Sequence, residues 1–417
     1  MKNKKIVLAI SGSFKIMIFI MMFSLILASA SAHPGLMNGW LDVGASFGKW
    51  VEKADTPSAG GYGEAVVSTN NSIYIARNLY ATTNPLFWRY NTSINIWSSM
   101  SVSGLPLGAF RNGATLAWNN GSYIYAQLGA RYPPDDVNRR LFYRYSITNN
   151  NWEQLADTPH AQGAGDAITW SGYDGYIYAI MSSAKHGTAF ARYKYNSWEV
   201  LDLNPNWTFT DDGASLAWTG GEYLYALRGE YAETVPNGDF ARYHIPSQTW
   251  VDMKDIPEDE GVGDGASLLW VGEYSDDVFA LGGGDVYENP GYNFYSYSIS
   301  TNSWEQLESI PCPIGYYVGN RLGFANGSIY YWQGSPTTDK WICGGDAFYM
   351  FKQSGCTGDQ NGDSKVNFDD FVMFAYAYNT HTGDANYNVL ADLNSNGVVD
   401  FNDFTVFASV YGVICTP

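Results

Sequence analysis

Positive charge is scarce in this chain: Lys and Arg number 23 against 41 Asp and Glu, for a formal net charge of −18. Such a surface repels phosphate backbones, and no basic stripe interrupts it, so no nucleic-acid partner is expected. Long apolar runs are nearly missing as well. The one from Ile16 to Leu27 follows Lys2, Lys4, Lys5 and Lys15 and precedes Ala30-Ser31-Ala32. It is shorter than the roughly 20 residues that cross a bilayer, and its layout is that of a signal peptide over residues 1–32. The expected product is secreted, extracellular or held at a cell surface, with no membrane span after signal cleavage. Cysteine is limited to Cys312, Cys343, Cys356 and Cys415. Export makes these disulfide partners; three pairings are possible, and position favours Cys356 with Cys415, which bracket the tail. Sequons stand at Asn70, Asn91, Asn120, Asn206 and Asn326, compatible with glycosylated loops.

What the chain does have is aromatic residues, at 16% of the total, a composition suited to sheets. They recur in order. A first apolar strand follows a glycine as GEAVVS at Gly63, GATLAW at Gly113, GDAITW at Gly165, GASLAW at Gly213 and GASLLW at Gly265, spaced by 50, 52, 48 and 52 residues, with a weaker sixth copy, NRLGFA, at Asn320. A second strand repeats as SIYIAR, SYIYAQ, GYIYAI, EYLYAL, DVFALG and SIYYWQ, starting at Ser72, Ser122, Gly175, Glu222, Asp277 and Ser328. A third ends at Tyr90, Tyr145, Tyr193, Tyr243, Tyr297 and Phe351, and a fourth carries Trp97, Trp152, Trp198, Trp250 and Trp304. Period-two alternation between turn residues marks each as a strand. The sixth copy lacks a fourth strand, but Trp50-Val51-Glu52-Lys53-Ala54-Asp55-Thr56-Pro57 matches Trp152 to Pro159 and is expected to supply it, closing a ring.

A fifty-residue, four-stranded repeat with glycine before the first strand and tryptophan in the fourth resembles the kelch family of β-propellers. The family's glycine pair after the second strand is clear at Gly282-Gly283. The expected fold over residues 33–352 is an all-β, six-bladed, kelch-like propeller, closed by the N-terminal strand near Trp50. Charged residues near the strand-one glycines gather at one channel mouth: Glu64, Arg111, Asp166, Asp211, Asp212, Asp264 and Arg321. Carboxylates accept and guanidinium groups donate, so this ring is a candidate site for a hydroxylated or cationic ligand, such as a carbohydrate or a protein segment; the plainer reading is loop ends that tie blades together. His160, His186 and His244 stand at unlike blade positions, which argues against a copper oxidase of kelch type. The aspartate box of sialidase propellers is absent. Arg89, Arg144, Arg192 and Arg242 share one strand-three position and read as architecture.

Residues 353–417 change character. Two twelve-residue stretches, 33 apart, run from Asp359 to Asp370 and from Asp392 to Asp403. Oxygen side chains fall at positions 1, 3, 5, 9 and 12 of each loop: Asp359, Asn361, Asp363, Asn367 and Asp370, then Asp392, Asn394, Asn396, Asp400 and Asp403. Position 7, Lys365 or Val398, offers its backbone carbonyl, and position 8 is Val in both. An all-oxygen cage of this spacing suits a hard cation, so two Ca²⁺ sites are expected. Each loop enters an amphipathic helix, with apolar Phe371, Phe374, Ala375 and Tyr378 repeated as Phe404, Phe407, Ala408 and Tyr411. The result is a small all-α domain of paired EF-hand-like loop–helix halves. It resembles a type I dockerin. That resemblance implies calcium on the residues above and a cohesin-type domain of a scaffold or cell-surface protein as partner. Ser364 at position 6 and Asn396 at position 5 depart from the pattern, as do Phe368-Asp369 and Phe401-Asn402, where many dockerins carry Ser-Thr. The functional expectation is a non-catalytic binding propeller attached to an extracellular assembly concerned with polysaccharide recognition or breakdown. The alternative is a carbohydrate-active enzyme, a glycoside hydrolase or mutarotase-like, working at the channel mouth.

Overall fold

The computed structural model describes residues 49–413 apart from 59–60, 80–83, 93, 131–138, 184–185, 208–209, 211–212, 230–238, 258–261, 264, 273–275, 284–290, 313–320, 335–345, 353–356, 361–364, 382–383, 385, 389 and 395–396. Six four-stranded antiparallel sheets form a six-bladed β-propeller. The first blade joins Gly61–Thr69, Ser72–Leu79, Pro85–Asn91 and Ile96–Ser99. Four more follow the same order, and the sixth is built from Leu322–Ala325, Ser328–Trp332 and Phe348–Lys352 with Lys49–Glu52 as its outer strand. Trp50 pairs with Phe351 there, as Trp152 pairs with Tyr145 in the second blade. The first strands of successive blades touch around a closed circle and so surround the axis. All run the same way, which puts their glycine ends at one mouth and their far ends at the other.

The blades are riveted together by one aromatic arrangement used six times. The fourth-strand Trp packs on the third-strand Phe of the preceding blade: Trp97 on Phe348, Trp152 on Phe87, Trp198 on Phe142, Trp250 on Phe190, Trp304 on Phe240 and Trp50 on Phe294, with centroids 4.9–5.2 Å apart. Each indole N–H donates to a backbone carbonyl of the linker before its blade, those of Ala54, Ser101, Ala156, Asp202, Lys254 and, for Trp50, Glu308. An indole wedged between blades meets both needs here, apolar area and a partner for its N–H.

The sheet register corrects two alignments. Phe324 opposes Ile329 as Trp118 opposes Ile124, so the sixth first-strand copy reads Gly319-Asn320-Arg321-Leu322-Gly323-Phe324, beginning one residue before Asn320. Arg321 is therefore level with Thr115 and Ser267, not with Glu64. The second strands of the first, fifth and sixth blades are likewise one step out: Ala76, not Arg77, faces the third-strand Phe, as Gln127 does. Alternating apolar strings match themselves in either step; only the pairing partner separates them.

The tail carries two ten-residue helices, α1 (Phe368–Ala377) and α2 (Phe401–Val410). Phe371, Phe374, Phe404 and Phe407 form its core with Val366 and Val399. Ala375 is exposed and Ala377 takes the buried place in α1, a correction to the expected apolar face, whereas the equivalent Ala408 of α2 packs on the core. The halves interlock reciprocally. Val366 accepts from Gly412 N at 2.8 Å, after α2, and Val399 accepts from Asn379 N at 2.7 Å, after α1. No helix among the described residues is long and apolar enough to cross a membrane.

Candidate functional site

At the glycine-end mouth the structure draws Glu64 and Arg321 together, at 2.8 Å, and adds Arg77, 3.5 Å from the other carboxylate oxygen; all three are fully buried. Arg77 stands over Trp88 and Trp332, and Arg321 over Trp332, at 5.0–5.6 Å from the ring centroids. Burial lowers the Arg77 pKa, the Glu64 charge opposes that fall, and Arg321 adds to it. The cluster links the first blade to the sixth. Gly334, at φ +68°, lies so close that any Cβ would collide with the Arg321 guanidinium and the Glu64 carboxylate. The sequence carried a signal for Arg77, since a charge inside an otherwise apolar strand needs a buried partner.

Asp166 is buried separately, and its Oδ1 accepts from Gly163 N at 3.1 Å and Ser182 N at 2.9 Å. Burial pushes its pKa well above the usual carboxylate range, against the pull of those two N–H groups. Arg111 is half-buried at the second blade, and its backbone N–H donates to Leu128 O at 2.8 Å. Asp211, Asp212 and Asp264 lie outside the described residues. The repeated strand-three arginines lie at cross-strand positions: Arg144, Arg192 and Arg242 stack on Tyr123, Tyr176 and Tyr223 at 4.3–4.7 Å, and Arg89 donates to Ser72 Oγ at 2.9 Å.

In the tail, the carboxylates that end the two loops are fully buried and fold the loops around themselves. Asp370 accepts from Gln360 N at 2.6 Å and Asn367 N at 2.8 Å. Asp403 accepts from Asn394 N at 3.0 Å and Asp400 N at 2.8 Å. Asp392, also buried, accepts from Gly397 N and from Tyr387 Oη, both at 2.7 Å. Asn367 and Asp400 cap the helices in capping boxes, so the same residues close the loops and start α1 and α2. Asp359 and Asn394 are nearer solvent, and Lys365 and Val398 sit at the position-7 carbonyls. Asn361, Asp363 and Asn396 lie outside the described residues, and among those described no three His, Cys, Asp or Glu converge on one point. The donor chemistry fits a hard cation: acids buried at position 12 of both loops and at position 1 of the second, with backbone N–H groups arranged to hold them still.

Comparison with protein-family models returns no match, and comparison with curated proteins returns none. Cys312 is disulfide-bonded; Cys343, Cys356 and Cys415 lie outside the described residues, as does the expected signal segment.

Proposed function

We propose that this is a secreted propeller of kelch type that binds a ligand and is attached, through a calcium-dependent dockerin-like tail, to a cohesin-bearing extracellular assembly. The observation that carries the reading is the duplicated tail, in which two loop–helix halves exchange pairing partners across a pseudo-twofold and turn their terminal carboxylates inward. Such an arrangement concentrates negative charge in two small loops, and a divalent cation at each offsets it and supplies folding free energy to a core of marginal size. Asp359, Asn361, Asp363, Asn367 and Asp370 would hold one Ca²⁺, with the Lys365 carbonyl; Asp392, Asn394, Asn396, Asp400 and Asp403 would hold the other, with the Val398 carbonyl. The propeller is the cargo, with an oligosaccharide or protein segment as its ligand.

Calorimetric titration of the mature chain with CaCl₂ is expected to show two sites, and replacement of both Asp359 and Asp392 by Ala to remove both. Absence of binding heat, or capture of the same secreted cohesin-bearing partner in chelator as in calcium, defeats the reading.

A further inference from the structure

The other mouth of the channel is chemically unlike the first. Where the innermost strands end, Trp118, Trp170, Trp218 and Trp270 occupy one register position in the second to fifth blades, and Phe324 occupies it in the sixth; the first blade has Ser68 there. All five aromatics are half-buried, one side on the blade core and the rest open. Trp170 and Trp218 are 5.6 Å apart and Trp218 and Trp270 6.0 Å apart, each pair T-shaped, so the indoles follow one another around the rim. Trp118 and Trp218 are pinned by donating to Gly121 O and Gly221 O at 2.9 and 2.8 Å. The N–H groups of Trp170 and Trp270 make no hydrogen bond among the described residues.

Packing accounts for part of this arrangement. Trp218 and Trp270 lie over Gly172 and Gly220 of the preceding blades, where a Cβ would collide with the indole. It does not account for the polar rim beside them. Tyr173, 48% exposed, donates to Glu222 Oε1 at 3.3 Å, and the other oxygen of Glu222 meets His244 Nε2 at 3.3 Å. Glu222 is itself half exposed. Flat indoles next to a carboxylate steadied on both sides match a pyranose, whose C–H faces stack on the negative face of a ring while its hydroxyl edge donates to carboxylate oxygen. Acidic glycans are disfavoured by the half-exposed Glu222 at the rim and by the net charge of −18.

We infer that the tryptophan-lined mouth binds a neutral polysaccharide, stacked across Trp170, Trp218 and Trp270 and hydrogen-bonded to Glu222. This rests on the reading of the propeller as a binding module and names a second mouth as the site. The test is affinity electrophoresis of the full chain in native gels containing hydroxyethylcellulose, arabinoxylan or galactomannan. At least one is expected to retard the protein, and Trp170→Ala and Glu222→Gln each to weaken retardation about tenfold, the worth of one stacked ring or one charged hydrogen bond. Trp170→Phe keeps a ring and is expected to restore most of it, which separates stacking from misfolding. Retardation lost through Arg111→Ala and kept in Trp170→Ala would place the ligand at the opposite mouth, overturning this site while leaving the binding module standing. No retardation in any of the three gels overturns it outright.

Discussion

Asp166 is a carboxylate sealed into a blade with two backbone N–H donors and, among the described residues, no cation in its hydrogen bonds. Its raised pKa makes stability depend on pH, and the sign is fixed by linkage. Between the unfolded value near 3.8 and the higher folded value, the folded chain holds a proton that the unfolded chain has released, so stability falls as pH rises through that window. Asp166→Asn, which imitates the protonated acid, is expected to stabilise the fold at pH 7 by about 1 kcal/mol, read as a higher melting temperature, with the gain vanishing near pH 3. Thermal melts at the two pH values check it; an equal effect at both would refute the burial argument.

At the level of the element, the hairpin between third and fourth strands repeats a device that the sequence displays without explaining. Asn95, Asn150, Asn196 and Asn302 each sit two residues before the Trp at φ 51–59°. Each accepts from its blade's tyrosine at 2.7–3.0 Å and from a linker N–H at 2.9–3.0 Å. Asn tolerates the left-handed region better than most residues, which suits it to this turn. The fourth blade has Gln248 instead, at φ 55°, and there Tyr243 Oη is buried without a hydrogen-bond partner among the described residues. In the sixth blade the outer strand comes from the other end of the chain, no hairpin exists, and the tyrosine is Phe351. Gln248→Asn is expected to stabilise the protein by about 1 kcal/mol, read as a higher urea midpoint at unchanged slope. A lower midpoint would mean that the hairpin, and not the hydroxyl, sets the cost.

For the molecule as a whole, the first and last blades meet through two devices at different radii: the outer strand around Trp50, and the Arg77–Glu64–Arg321 cluster nearer the axis. Removing the central charge leaves two buried guanidinium groups without their shared counter-ion, a loss of about 3–5 kcal/mol. Glu64→Gln is expected to lower the melting temperature and to raise amide exchange mainly in the first and sixth blades. Exchange raised evenly around the ring would show that the cluster does not act at the closure. The propeller also orients its tail. The third strand of the sixth blade ends on the tryptophan side, and Leu390 of the tail lies against Gly327 of that blade's first hairpin, so the attachment leaves from the face opposite the charged ring.

The strand count of the propeller, the ring closed by the N-terminal Trp50 and the paired loop–helix tail were all legible in the linear chain, because each depends on local periodicity and on repeats that align with one another; the short pairing of Thr380–His381 with Val398–Val399 in the tail, expected to be all-α, was not. Register was not. A one-residue slip leaves an alternating string looking the same, and it hid both the true start of the sixth copy and the level of Arg321. Nor could spacing tell which charged residues face a ligand and which face each other: Glu64 and Arg321 are 257 residues apart and become partners only when the circle closes. The aromatic rim at the far mouth was written in four strand-one repeats as the final W of GATLAW and its relatives. Its meaning as a surface came from the parallel direction of those innermost strands, a property of the assembled ring and of no single blade.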